Sequence, residues 1–220
     1  MTSKIGLIFD MDGVITNTVP LHFKAWKKMF ADYDIDLTFE MYKERVDGIP
    51  RLDGAGAILT ELSDEELIVA AAKKQGYFIE LLNSDDVDVY EDAMKFIKSL
   101  EKNKYMFAVA SSSKNCKDIL KKIGVFETFD AVVDGYGFKN GKPDPEIFLN
   151  AAKLINVDPL NSVVFEDAKK GVEAAKNGNM MCVGVDRVND PDILSKADIV
   201  IEDFHKLDIT QIEEKIKKNV

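Results

Sequence analysis

The chain of 220 residues carries 29 basic and 39 acidic side chains, a net charge of −10, and 46% of its residues are hydrophobic. That is enough apolar material for one sizeable core, or for a core with a smaller domain. The acidic balance excludes general attraction to nucleic acid or to anionic lipid, so any anionic ligand has to be held by a local cluster or a cation.

The first predicted element is a strand over residues 5–9, IGLIF, which runs into the acidic stretch DMDG. This run is too short and too soon interrupted by acids for a signal peptide, and no stretch approaches the roughly 18 uninterrupted apolar residues of a membrane span. Cys116 and Cys182 are far apart and unpaired in spacing, so they suggest neither a disulfide framework nor a zinc site and suit a reducing compartment. A cytoplasmic location is expected.

Residues 18–86 contain no convincing strand and read as successive helices: LHFKAWKKMFADY, TFEMYKERV, LDGAGAILTEL and DEELIVAAAKKQGYFIELL. From about residue 91 the pattern changes to alternation. Strands are predicted at 105–110, 131–133, 162–165, 181–185 and 198–201. Between them lie the helical stretches EDAMKFIKSLEKN, SKNCKDILKKIG, DPEIFLNAAKLIN and AKKGVEAAKNG, several closed by Gly or Asn. Such alternation predicts an α/β fold with a parallel, Rossmann-like sheet covered on both faces. The expected domains are a core of 1–17 with 87–220 and a helical insertion of 18–86.

Chemistry-bearing residues cluster at the predicted strand ends. Asp10 and Asp12 lie two apart at the exit of the first strand and share a face if the extended geometry persists. In open α/β sheets the ligand crevice lies beyond the carboxyl ends of the strands. Two close carboxylates stay ionised together only beside a positive charge, and a hard cation such as Mg²⁺ prefers oxygen ligands of this kind. The alternative is a plain turn, since Asp and Gly are common in turns. Glu166 and Asp167 follow a second apolar strand. Ser111, Ser112 and Ser113, with Lys114 and Asn115, follow a third, where hydroxyls and helix-start amides could cradle phosphate oxygens or simply cap a helix. Lys142 stands just before a helix entry fixed by Pro143 and Pro145, as a phosphate ligand or a solvated charge. Glu202 and Asp203 also end a strand, but nothing further marks them, and they are read as a solvated strand exit.

The stretches FDMDGVITNT, ASSSKN, GKPDPEIF and FEDAKKG, in this order over nearly the whole chain, resemble the four motifs of the haloacid dehalogenase superfamily of phosphotransferases. ITNTVPLHFKAWK and IPR more narrowly resemble the β-phosphoglucomutase-like family, whose helical cap follows the first strand. The resemblance implies Asp10 as nucleophile and Asp12 as general acid and base. It implies Mg²⁺ held by Asp10, the Asp12 carbonyl, Glu166 and Asp167, and a phosphoryl group oriented by Ser111 and Lys142. It also implies substrate contacts from Thr18, His22, Trp26, Gly48, Arg51 and Lys74 in the cap and from Ser113, Lys114 and Asn115 in the core. Read as residues alone, Trp26 could equally pack the cap and His22 could be a satisfied helix histidine.

Three positions depart from the family pattern. Asp47 replaces a lysine, Gly54 a serine and Asn17 an acid, and a carboxylate at 47 disfavours a second phosphate. VDGIPRLDG is similar to phosphatase relatives. The implied reaction is isomerisation of β-glucose 1-phosphate to glucose 6-phosphate, and the competing one is sugar-phosphate hydrolysis. From another class comes a non-catalytic phosphoryl receiver or scaffold, against which the helical insertion and the full motif set both argue. The expected partner is a small sugar phosphate, with no nucleic acid and no membrane, and the protein is expected to be a monomer.

Overall fold

The computed structural model describes residues 4–219. In chain order the elements are β1 (Ile5–Phe9), β2 (Thr16–Asn17), α1 (Val19–Ala31), α2 (Phe39–Arg45), α3 (Arg51–Gly56), α4 (Asp64–Ser84), β3 (Asp88–Val89), α5 (Glu91–Ser99), β4 (Tyr105–Ala110), α6 (Cys116–Lys122), β5 (Ala131–Val133), α7 (Glu146–Leu154), β6 (Ser162–Glu166), α8 (Lys169–Asn177), β7 (Met181–Val185), β8 (Ile199–Ile201) and α9 (Ile209–Asn219). The chain divides into two compact units, Met1–Asn17 with Val89–Val220, and Thr18–Asp88.

In the first unit six strands form one sheet in the order β5-β4-β1-β6-β7-β8, and every pairing is parallel. Buried parallel strands must be apolar on both faces, and β1, β4, β6 and β7 are. Ile8, Ala108 and Val164 point into a cluster with Phe148 and Ala151 of α7 and Val172 and Ala175 of α8. Their neighbours Phe9 and Phe165 face the other way. These two rings stack at 4.5 Å, and Phe96 of α5 meets Phe165 edge-on at 6.0 Å. Alternation along each strand thus builds a core on each face of one sheet.

Register decides what emerges at the carboxyl edge. Phe9 pairs with both Val109 and Phe165, so Asp10, Ala110 and Glu166 come next at the same level. Helices α6, α7 and α8 are followed by Gly124, Asn156 and Asn179, all with positive φ, the usual way of ending a helix and returning the chain to the sheet.

The second unit is helical. Trp26, Met29 and Phe30 of α1 pack with Tyr42 of α2, Ala55 of α3 and Ala70 of α4. Ser63 and Glu66 form a reciprocal capping box that starts α4. The helix expected over residues 52–62 stops at Gly56, because Gly54, Gly56 and the β-branched Ile58 and Thr60 propagate a helix poorly. The strands at 5–9, 105–110, 131–133 and 181–185 coincide with the sequence reading. Two elements were not anticipated: the short β2–β3 sheet and the C-terminal α9.

Candidate active site at the carboxyl edge of the sheet

Four side chains from remote parts of the sequence, Asp10, Lys142, Glu166 and Asp167, meet at the carboxyl edge. The Lys142 ammonium donates to Asp10 Oδ1 at 2.6 Å and to Glu166 Oε2 at 2.6 Å. Carboxylate oxygens of Asp10, Glu166 and Asp167 lie within 4.8 Å of one another. Asp10 is held in place through its own N–H, which donates to the Phe165 carbonyl at 2.9 Å, and Glu166 accepts from the Ala168 N–H at 3.0 Å, turning the chain into α8. The edge of the sheet thereby fixes both acids before any ligand arrives.

Burial dominates the electrostatics. It pushes the Asp10 carboxyl well above the usual carboxylate range; Lys142 opposes the rise, and Glu166 and Asp12 add to it. Burial, then the charges of Glu166 and Asp10, push Asp167 up as well. Burial works against the charge of Lys142, yet Asp10 and Glu166 outweigh it and hold the ammonium above its ordinary pKa. One cation therefore faces an excess of buried carboxylate. An all-oxygen set in a site short of positive charge fits a hard divalent cation such as Mg²⁺. The three-carboxylate group comprises Asp10, Glu166 and Asp167 and does not include the Asp12 side chain.

Two glycines, Gly13 and Gly171, make this crowding possible. A Cβ on Gly13 would fall 1.8 Å from Asp167 Oδ2, and one on Gly171 would fall 2.0 Å from the Glu166 carboxyl carbon. Gly13 also has φ +76°, a conformation that disfavours side chains.

The serine stretch leaves β4 beside this cluster. Ser111 is buried, its N–H donating to the Val133 carbonyl at 3.0 Å. The amides of Ser113 and Asn115 donate to the hydroxyls of Ser111 and Ser113 at 3.1 and 3.2 Å. Those amides are thus engaged within the loop, where the sequence reading offered them to phosphate. Lys114 lies over the exposed Tyr136 ring at 5.1 Å. At the other candidate strand exit, Asp203 accepts from the His205 N–H at 2.8 Å and Glu202 pairs with Lys206, both local and exposed.

The model of the haloacid dehalogenase-like hydrolases matches residues 6–179. The chain belongs to that family. β-Phosphoglucomutase of Bacillus subtilis is 34% identical over 188 residues, 81% of this chain and 82% of that protein. The phosphorylated carbohydrates phosphatase of Thermotoga maritima is also 34% identical, over 187 residues, 83% of this chain and 82% of its own. The crystal structure of β-phosphoglucomutase from Clostridium difficile superposes with a TM-score of 0.83 at 32% identity, covering 98% of each chain. The chain is accordingly an enzyme of the phosphoglucomutase or phosphatase type.

Within the helical unit of this dehalogenase-like chain, a second cluster gathers His22, Trp26, Arg51 and Lys74. Lys74 Nζ lies 2.7 Å from His22 Nδ1, the His22 ring stacks on Phe78 at 4.4 Å, and Lys74 sits over the Trp26 ring at 5.2 Å. Burial, with the charges of Lys74 and Arg51, lowers the His22 pKa to about 3. Burial and Arg51 lower Lys74 to about 7. Arg51 donates to Gln75, a partner with no signal in the sequence. Trp26 is 4% exposed and stacks on Phe30, as the packing alternative has it. Thr18 is buried at the start of α1, and Gly48, with φ +73°, forms the turn ahead of α3.

Two of the departures from the family pattern, those at 47 and 54 in the helical unit, acquire a physical reason. The Asp47 carboxylate accepts from the Tyr42 hydroxyl at 2.7 Å and pairs with Lys43, so its charge is compensated locally. A Cβ on Gly54 would stand 3.0 Å from the Trp26 ring, which leaves little room for serine. Among the described residues no helix is long and apolar enough to cross a membrane.

Proposed function

We propose that the chain is a magnesium-dependent phosphotransferase acting on a sugar phosphate through an aspartyl phosphate on Asp10, and that its reaction is the isomerisation of β-glucose 1-phosphate to glucose 6-phosphate. The observation that carries this reading is the bridging of Asp10 and Glu166 by Lys142, with Asp167 beside them. The ammonium beside Asp10 counters the rise that burial imposes and so favours the ionised, nucleophilic carboxylate. An oxygen of Asp10 bonds to phosphorus as the bond from phosphorus to the sugar oxygen breaks. Asp12 gives that oxygen its proton and later removes one from the accepting hydroxyl. Lys142 and Ser111 orient the phosphoryl oxygens, and Ser113, Lys114 and Asn115 provide a second grip. Asp10, Glu166, Asp167 and the Asp12 carbonyl would hold Mg²⁺, which supplies charge neutralisation for phosphoryl transfer.

In this reading the unit of the parallel sheet is the catalytic core, and Thr18–Asp88 is a cap that selects the substrate through Thr18, His22, Trp26, Gly48, Arg51 and Lys74. The pairing of Asp47 with Lys43 and Tyr42 supports the mutase, because it removes the objection of a bare carboxylate near a second phosphate. The likeness to the Thermotoga maritima phosphatase, equal in identity, favours a second reading in which water accepts the phosphoryl group. The protein is proposed to act as a cytoplasmic monomer.

The deciding assay supplies β-glucose 1-phosphate, Mg²⁺ and a trace of glucose 1,6-bisphosphate, and follows glucose 6-phosphate and free phosphate separately. The mutase reading expects the isomer to form well ahead of phosphate, and phosphate without isomer makes the enzyme a phosphatase. Asp10→Asn should abolish both while the circular dichroism spectrum stays native; turnover in that variant would remove the nucleophile assignment.

A further inference from the structure

Outside the cluster of acids, one partly buried ion pair touches the catalytic loop. Arg187 stands two residues beyond β7. Its two terminal nitrogens donate to the two oxygens of Asp92 at 3.0 and 3.2 Å, and its Nε donates to the main-chain carbonyl of Gly13 at 3.3 Å. The side chains are 14% and 11% exposed. The guanidinium carbon lies 4.1 Å from the centre of the Tyr90 ring, a stacked arrangement that further restricts it. Asp92 is itself held, since its Oδ2 accepts from the Phe204 N–H at 2.9 Å. Asp186, next to Arg187 in the chain, accepts from the amides of Val188 and Asp190 at 3.2 and 3.0 Å and so stiffens the loop that delivers the arginine.

Gly13 directly follows Asp12, and its Cα presses against the Asp167 carboxylate. Its N–H donates to the Thr16 carbonyl at 2.9 Å, closing the turn, so the residue after Asp12 is pinned through its N–H by that turn and through its carbonyl by Arg187. A guanidinium with a fixed fork and two anchors is suited to hold a carbonyl in one orientation.

We infer that Arg187, locked by Asp92 and Tyr90, is a positioning residue for the Asp12 loop: through the Gly13 carbonyl it aims the Asp12 carboxyl at the oxygen that leaves or accepts the phosphoryl group. The inference rests on the phosphotransferase reading, in which Asp12 moves that proton. It makes a particular demand. Proton transfer matters for a sugar alcohol, a poor leaving group, and matters little for the acetate of acetyl phosphate, which departs as a stable anion.

The test compares β-glucose 1-phosphate with acetyl phosphate, at saturating Mg²⁺, for wild type, Arg187→Met and the double variant Arg187→Gln/Asp92→Asn. The double variant leaves no unpaired, partly buried carboxylate, so it is expected to retain the fold if the single one does not. Expected is a fall in kcat of about tenfold to a hundredfold on the sugar phosphate, the size typical of a lost supporting contact, with KM little changed and acetyl phosphate turnover within about twofold of wild type. Equal losses on both substrates, or an undiminished kcat on the sugar phosphate, overturn the positioning role. Failure of the wild type to turn over either phosphate would instead sink the phosphotransferase reading and is read before the variants are compared.

Discussion

The Lys142 ammonium lies 2.6 Å from the Asp10 carboxylate, both side chains being largely buried, and the same nitrogen reaches Glu166. The lysine compensates acids that the sheet register forces together, and in the proposed reaction it would also orient the phosphoryl group.

Lys142→Met should cost stability as well as rate. Removing one partner of a buried ion pair typically costs about 3–5 kcal/mol, because the remaining charge is left uncompensated. Loss of a charge-stabilising donor lowers kcat about 10²- to 10³-fold. Thermal melts with and without Mg²⁺ check the first part: added Mg²⁺ should restore part of the melting temperature but not the rate. A variant as stable and as fast as wild type would remove Lys142 from both roles.

Arg51→Ala should weaken handling of a sugar phosphate while sparing acetyl phosphate, which has no distal group to grip. A charged hydrogen bond worth about 1.5–3 kcal/mol corresponds to a loss of roughly ten- to a hundredfold in kcat/KM. Steady-state kinetics on both substrates decides it, and equal losses would assign Arg51 to the structure of its own unit through Gln75.

The His22–Lys74 pair predicts a pH dependence of stability. Both are bases whose folded pKa lies below the ordinary value: His22 falls from 6.5 to about 3, and Lys74 from 10.5 to about 7, each chiefly by burial. Between the two values of each group the unfolded chain binds a proton that the folded one refuses, so stability rises with pH there. His22 contributes a loss on acidification from pH 6.5 toward 3, and Lys74 a gain from pH 7 toward 10.5. Lys74→Met should flatten the upper rise in melting temperature and leave the lower fall in place. An unchanged upper slope in that variant would mean that Lys74 is not the group responsible.

Gly54→Ser, which restores the residue expected of the family, should destabilise the protein. The new Cβ would sit 3.0 Å from the buried Trp26 ring, and overpacking of this kind costs about 1–3 kcal/mol. Urea denaturation measures it, and a neutral or stabilising effect would show that Trp26 shifts freely.

The strands were legible because a buried parallel strand is a continuous apolar run, and the acids were legible because they interrupt such runs at one end. The carboxylate of Asp47 counts against a second phosphate as long as its hydrogen bond from Tyr42 and its ion pair with Lys43, both on the preceding helix, are out of view. The link between Arg187 and Asp92 spans 95 positions and carries no motif. It exists because the fold brings the start of α5 beside the loop that follows β7.

What the sequence by itself determined was the alternation of strands and helices, the helical insertion after the first strand, and the kinds of oxygen and nitrogen groups that end each strand. Periodicity and local propensity are properties of neighbouring residues and survive without coordinates. What only the tertiary structure decided was which of those groups meet: that Lys142 bridges Asp10 and Glu166, that Gly13 and Gly171 are small because carboxylates lie against them, and that Trp26 is buried against Phe30 in its own unit. Distance between remote residues is set by sheet register and burial, and neither is written in any single stretch of the chain.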